Sequence, residues 1–124
     1  SSYSKGTVIP FTVHVQNVSS SRVTMTVDPY ESDYVILDTI GDIVFQFSKA
    51  NGNAEVGYSL ALEPGQGIAI SRPWPQTFTG GGAVPSGHYT FVAWMDAFKV
   101  NDALINVSTW PTELSTSPVP FSVL

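Results

Sequence analysis

Apolar and polar residues alternate with a period of two through almost every segment of this chain. Phe11, Val13 and Val15 share one face of a strand, and Val23, Met25 and Val27 share another with Thr24 and Thr26 opposite them. Val119, Phe121 and Val123 repeat the pattern near the C-terminus. Apolar residues never recur at i, i+3, i+4 and i+7 over a stretch of about eleven residues, so the pattern predicts strands throughout and an all-β chain.

Residues 34–48 are the centre of that pattern: two runs rich in branched and aromatic side chains, joined by Asp38, Thr39, Ile40 and Gly41. Asp38 can open a type I turn by bonding the backbone ahead of it, and Gly41 can close it in the left-handed conformation. Residues 34–37 are apolar on both faces, which suits a strand covered on both sides; the reading favours a second subunit as the outer cover. Residues 28–33 read as a connection and residues 48–54 as a loop. Glu63, Pro64, Gly65 and Gln66 spell a type II turn. Tyr89 follows a Pro-Ser-Gly turn, the placement from which its hydroxyl ties back to the turn in immunoglobulin-like sandwiches. The expected fold is an immunoglobulin-like antiparallel β-sandwich of about seven to nine strands.

Pro10 interrupts the first strand, and a proline cannot donate to a ladder. It divides the chain into an arm, residues 1–9, and a single sandwich domain, residues 10–124. The arm, with Tyr3, Val8 and Ile9 as its apolar side chains, is expected to leave the domain.

The order of residues 11–17, 23–27, 34–38 with Gly41, 44–48, 62–66, Trp74 and 84–89 resembles the BsuPI-type intracellular proteinase inhibitor family over about residues 11–97. That resemblance implies an immunoglobulin-like sandwich. It also implies inhibition of serine proteinases, for which residues 71–77 would supply a stiff exposed loop.

Composition changes this picture in one respect. Only 12% of the 124 residues are charged while 43% are hydrophobic, against a usual charged share of about 25%. Charged side chains on edge strands are a main defence against edge-to-edge pairing, so their scarcity points toward association. The net charge of −5, with Lys5, Arg22, Lys49, Arg72 and Lys99 standing apart, excludes a nucleic-acid partner. No apolar run is long enough to span a membrane as a helix. The chain has no cysteine, which excludes disulfides and thiol chemistry.

No catalytic, cofactor or metal constellation emerges. Ser2 and Lys5 match Ser-x-x-Lys without the helix that motif needs. His14 and His88 read as surface residues. Asp28, Glu31, Asp33, Asp38 and Asp42 lie close in sequence, but acids in turns serve the backbone and their spacing fits no calcium loop. Asn17 and Asn106 satisfy Asn-x-Ser and are candidate glycan acceptors. Trp94 reads as core, whereas Arg72, Trp74 and Trp110 form a candidate contact loop.

Together these features lead to an expectation of a non-enzymatic, extracellular or cell-surface structural module that binds copies of itself. The arm would complete a neighbour's sheet by strand addition and build a homopolymer. The alternative is a serine proteinase inhibitor whose partner is a protease.

Overall fold

The computed structural model describes residues 1–51, 58–101, 103–104 and 115–124. These contain β1 (Ser2–Tyr3), β2 (Ile9–Gln16), β3 (Val23–Leu37), β4 (Ile43–Gln46), α1 (Phe47–Asn51), β5 (Tyr58–Leu62), β6 (Gly67–Trp74), β7 (Gly87–Val100), β8 (Ala103–Leu104) and β9 (Val119–Val123). The larger sheet runs β1-β9-β7-β3-β4, with β5 also on β3 and β8 on β7, and β2 and β6 form the second layer. Among the described residues all strand pairs are antiparallel except β1 with β9. The expected all-β sandwich is the fold of the chain.

Alternation builds the core. On the smaller layer Ile9, Val13, Ile70 and Trp74 point inward, and they meet Met25, Ile36, Phe91 and Phe121 of the larger one. Phe11 stacks on Phe91 at 4.1 Å between ring centroids, joining the layers. Pro10 faces Pro73 across the β2–β6 ladder. Neither has an N–H, so the two share a non-hydrogen-bonded position where none is required. Proline therefore does not end the strand, and Ile9 is a fully buried member of β2.

The local turn chemistry holds as written. Gly41 N–H donates to Asp38 O at 3.1 Å with Gly41 at φ 89°, and Gln66 N–H donates to Glu63 O at 2.9 Å with Gly65 at φ 80°. Tyr89 hydroxyl donates to Pro85 O at 2.6 Å, the tie expected of an immunoglobulin-like sandwich.

Two segments differ from expectation. The supposed connection over residues 28–33 lies within β3, because the register advances from Val27 opposite Ala97 to Ser32 opposite Met95. Five positions on β3 then face two on β7, so the surplus is absorbed as an irregularity and the strand continues. Phe47–Asn51 forms a helical turn where a loop was expected.

The outer face of β3 is covered within the chain, which corrects the expectation of a second subunit there. Tyr34 and Ile36 enter the core, and Val35 on the reverse face is only 8% exposed. Asp33, on the same face as Val35, is buried beneath α1. It accepts hydrogen bonds from Ser48 N at 2.9 Å, Ser48 Oγ at 2.6 Å and Gln46 Nε2 at 3.0 Å. The edge of β4 is also occupied: Thr79 N–H donates to Val44 O and Gln46 N–H to Thr79 Oγ1, each at 3.1 Å. Low charge thus coexists with an edge closed by the chain itself.

Candidate functional site

The arm was expected to serve a neighbour, and the structure spends it on its own domain. Ser2 and Tyr3 pair with Ser122 and Val123, and the Tyr3 ring stands edge-on to Phe121 at 6.1 Å. Gln76 clamps the next turn: its Oε1 accepts from Gly6 N at 3.0 Å and its Nε2 donates to Ser4 O at 2.9 Å. Gln76 is buried and adopts a left-handed φ of 60°, a conformation that side chains other than glycine seldom take. Of the three arm side chains, only Val8 faces solvent.

Of the expected contact loop, Arg72 and Trp74 lie among the described residues. Trp74 is 0% exposed at the end of β6, with its Nε1–H donating to Thr77 O at 3.1 Å and its ring 5.9 Å from those of Tyr89 and Phe121. Its flanking prolines suggested exposure, but strand alternation turns it into the core. Arg72 donates to Ser32 O at 3.2 Å and lies 4.6 Å from the Phe47 ring centroid. Residues 71–74 thus lie within β6, and Trp74 and Gln76 are buried. Trp110 and Asn106 lie outside the described residues. Trp94 is half-buried and, with Val13 and Met95, lines an apolar groove of about 550 Å³, rather than sitting in the core.

Two ends of the sandwich display exposed apolar side chains. At one, the β3–β4 turn presents Ile40, 80% exposed. Its backbone is consumed internally, since Gly41 N bonds Asp38 O, Asp38 N bonds Asp42 O, and the Asp38 carboxylate accepts from Ile40 N and Asp42 N. Phe78, 40% exposed, sits in the short turn closed by its own N–H to Gly82 O.

At the other end lies the β2–β3 loop, residues 17–21, where Val18 is 88% exposed. This loop is organised by one buried side chain. Asn17 Nδ2 donates to Ser21 O at 2.8 Å and Leu62 O at 2.9 Å, while its Oδ1 accepts from Ser19 N at 3.0 Å and Ser19 Oγ at 2.6 Å. The amide thus uses both donors and both acceptor sites. Its backbone is also tied, by Asn17 N to Gln66 O at 2.9 Å and Gly65 N to Asn17 O at 2.8 Å. Arg22 and Glu63 pair at 3.3 Å across the same end. Among the described residues, no hydrogen bond engages the backbone of Val18 or Ser20.

In the folded chain Asn17 is buried and its Nδ2 donates to two carbonyls, so the side chain serves the loop. The Asn-x-Ser spacing that spells a sequon also spells an Asx turn, in which the side chain bonds the backbone two residues on. That second meaning was the signal by which sequence could have identified the loop.

A family model described as "BsuPI: Intracellular proteinase inhibitor" matches residues 1–100 of the chain. No curated protein matches it. The match overturns the expectation of an extracellular or cell-surface, pilus-like module, because the family is described as intracellular. It likewise conflicts with copies of the chain as the partner, since the family is described as one of proteinase inhibitors. An inhibitor family is non-enzymatic, in keeping with the lack of a catalytic motif in the sequence.

Proposed function

Since the chain belongs to the BsuPI family of intracellular proteinase inhibitors, we propose that it acts by binding a serine proteinase and blocking its cleft, without catalysing a reaction itself. The loop at residues 17–21 is the contacting surface. The observation that supports this choice is the Asn17 amide, which holds the loop from behind through four hydrogen bonds and leaves its outer edge unengaged.

A segment ordered before binding loses little conformational entropy on binding, so more of its contact energy appears as affinity. The loop meets that condition, and Val18 gives it an apolar side chain that gains from leaving water. The β3–β4 turn is also held by hydrogen bonds, but its backbone groups are turned on one another. It can press against a surface but has little to offer a cleft that binds extended chain.

The test is residual activity of a subtilisin-type serine proteinase titrated with the purified chain. Activity should fall linearly and reach its floor near one equivalent. Full activity at a large molar excess of folded chain would overturn the reading.

A further inference from the structure

We propose that residues 17–21 enter the proteinase cleft as a substrate would, with Val18 in the primary specificity pocket and the Val18–Ser19 peptide bond facing the nucleophile. The target is therefore a proteinase with a shallow aliphatic pocket. This rests on the inhibitor reading above and assigns its specificity residue.

Three observations converge on that bond. Val18 is the most exposed large apolar side chain among the described residues. Among the described residues the backbone of Val18 and Ser20 makes no hydrogen bond, so their N–H and C=O groups can pair with a cleft that takes its ligand as an added strand. Finally, the loop from Val18 to Ser21 carries no charge, and Arg22 just beyond it is paired with Glu63. A neutral, β-branched side chain fits a small apolar pocket and leaves unmatched the carboxylate of a pocket built for Lys or Arg.

Asn17 also explains how a substrate-like loop would escape destruction. Hydrolysis adds OH to the Val18 carbonyl carbon and H to the Ser19 nitrogen. The Val18 side of the cut stays covalently joined to Asn17, whose backbone is anchored to Gly65 and Gln66. On the Ser19 side, nitrogen and hydroxyl both remain bonded to Asn17 Oδ1. One residue therefore grips both new ends, and the amine stays poised to attack the acyl carbon, expel the nucleophile or water, and restore the bond. Effective concentrations of groups held in this way far exceed those of free fragments.

The experiment titrates the wild-type chain and the Val18→Asp and Val18→Lys variants against elastase-type, subtilisin-type and trypsin-type enzymes, with mass spectrometry of the recovered chain. Val18 faces solvent, so the variants should fold as the wild type does. The wild type should inhibit the first two enzymes, Val18→Asp should weaken that inhibition by about a hundredfold or more, and Val18→Lys should transfer inhibition to the trypsin-type enzyme. Any nick in recovered chain should fall between Val18 and Ser19. If wild type and Val18→Asp inhibit equally, or the nick follows Arg22 or Ile40, the assignment of Val18 is overturned while the inhibitor reading stands. If the wild type inhibits none of the three, the inhibitor reading itself fails with it.

Discussion

Asn17 Nδ2 donates to the carbonyl of Leu62 at 2.9 Å, tying the β2–β3 loop to the end of β5 across 45 residues of sequence. The bond makes the loop a fixed part of the sandwich, and it gives the first prediction. Asn17→Ala leaves the Ser19 N–H and the Leu62 and Ser21 carbonyls without this partner, and should cost roughly 2–4 kcal/mol in urea denaturation. Ser20→Ala in the same loop should change stability by less than about 0.5 kcal/mol. Equal costs at the two positions would show that the brace is ornamental.

Trp74 is expected to behave as a core residue. Trp74→Ala removes a fully buried ring packed against Tyr89 and Phe121 and should cost about 3–5 kcal/mol, whereas Phe78→Ala, four residues on and partly exposed, should cost less than about 1 kcal/mol. Denaturation midpoints of the two variants decide the matter; a small effect at Trp74 would place the ring outside the core.

Alkaline pH should weaken the fold. Burial pushes the Tyr34 hydroxyl well above its ordinary value near 10, with Asp33 adding to the rise and Arg72 opposing it, and burial also raises Tyr89. A raised value means that the unfolded chain releases these protons first. Their stabilising contribution is therefore complete below about pH 10 and is lost as pH climbs toward the folded values. Urea midpoints should hold steady from neutral pH to about 9 and fall beyond 10. Tyr34→Phe should flatten part of that fall while costing about 1 kcal/mol at neutral pH for its 3.2 Å bond to Pro73 O. An unchanged alkaline slope in the variant would contradict the assignment.

Tyr3 should matter to the stability of a single chain. Removing its ring from Phe121 by Tyr3→Ala should cost roughly 1–2 kcal/mol, with a midpoint independent of protein concentration. A midpoint that rises with concentration in the wild type would mean the arm is shared between chains after all.

What the sequence made legible was local. Asp38 with Gly41, Pro64 with Gly65, and Tyr89 four residues after Pro85 each complete their bonds within a few positions, so residue type alone predicts the geometry. The misread residues have distant partners. Trp74 looked exposed between two prolines because the pairing of Pro73 with Pro10 joins strands far apart in the chain. The arm looked free because the buried amide that clamps it belongs to Gln76. Asn17 carried two meanings in one short pattern, and its bonds to Leu62 and Ser21 could not be read from it. The family resemblance depended on the order of many weak local motifs, which is why it pointed to the inhibitor class without singling out the loop proposed here as the contact.

The most direct test of the account is hydrogen exchange on the chain alone and mixed with a subtilisin-type proteinase, followed by peptide. The account predicts strong added protection over residues 17–22 and none over residues 38–43 or 77–83 at the opposite end. Protection at that opposite end with residues 17–22 unchanged, or no protection anywhere, would contradict it.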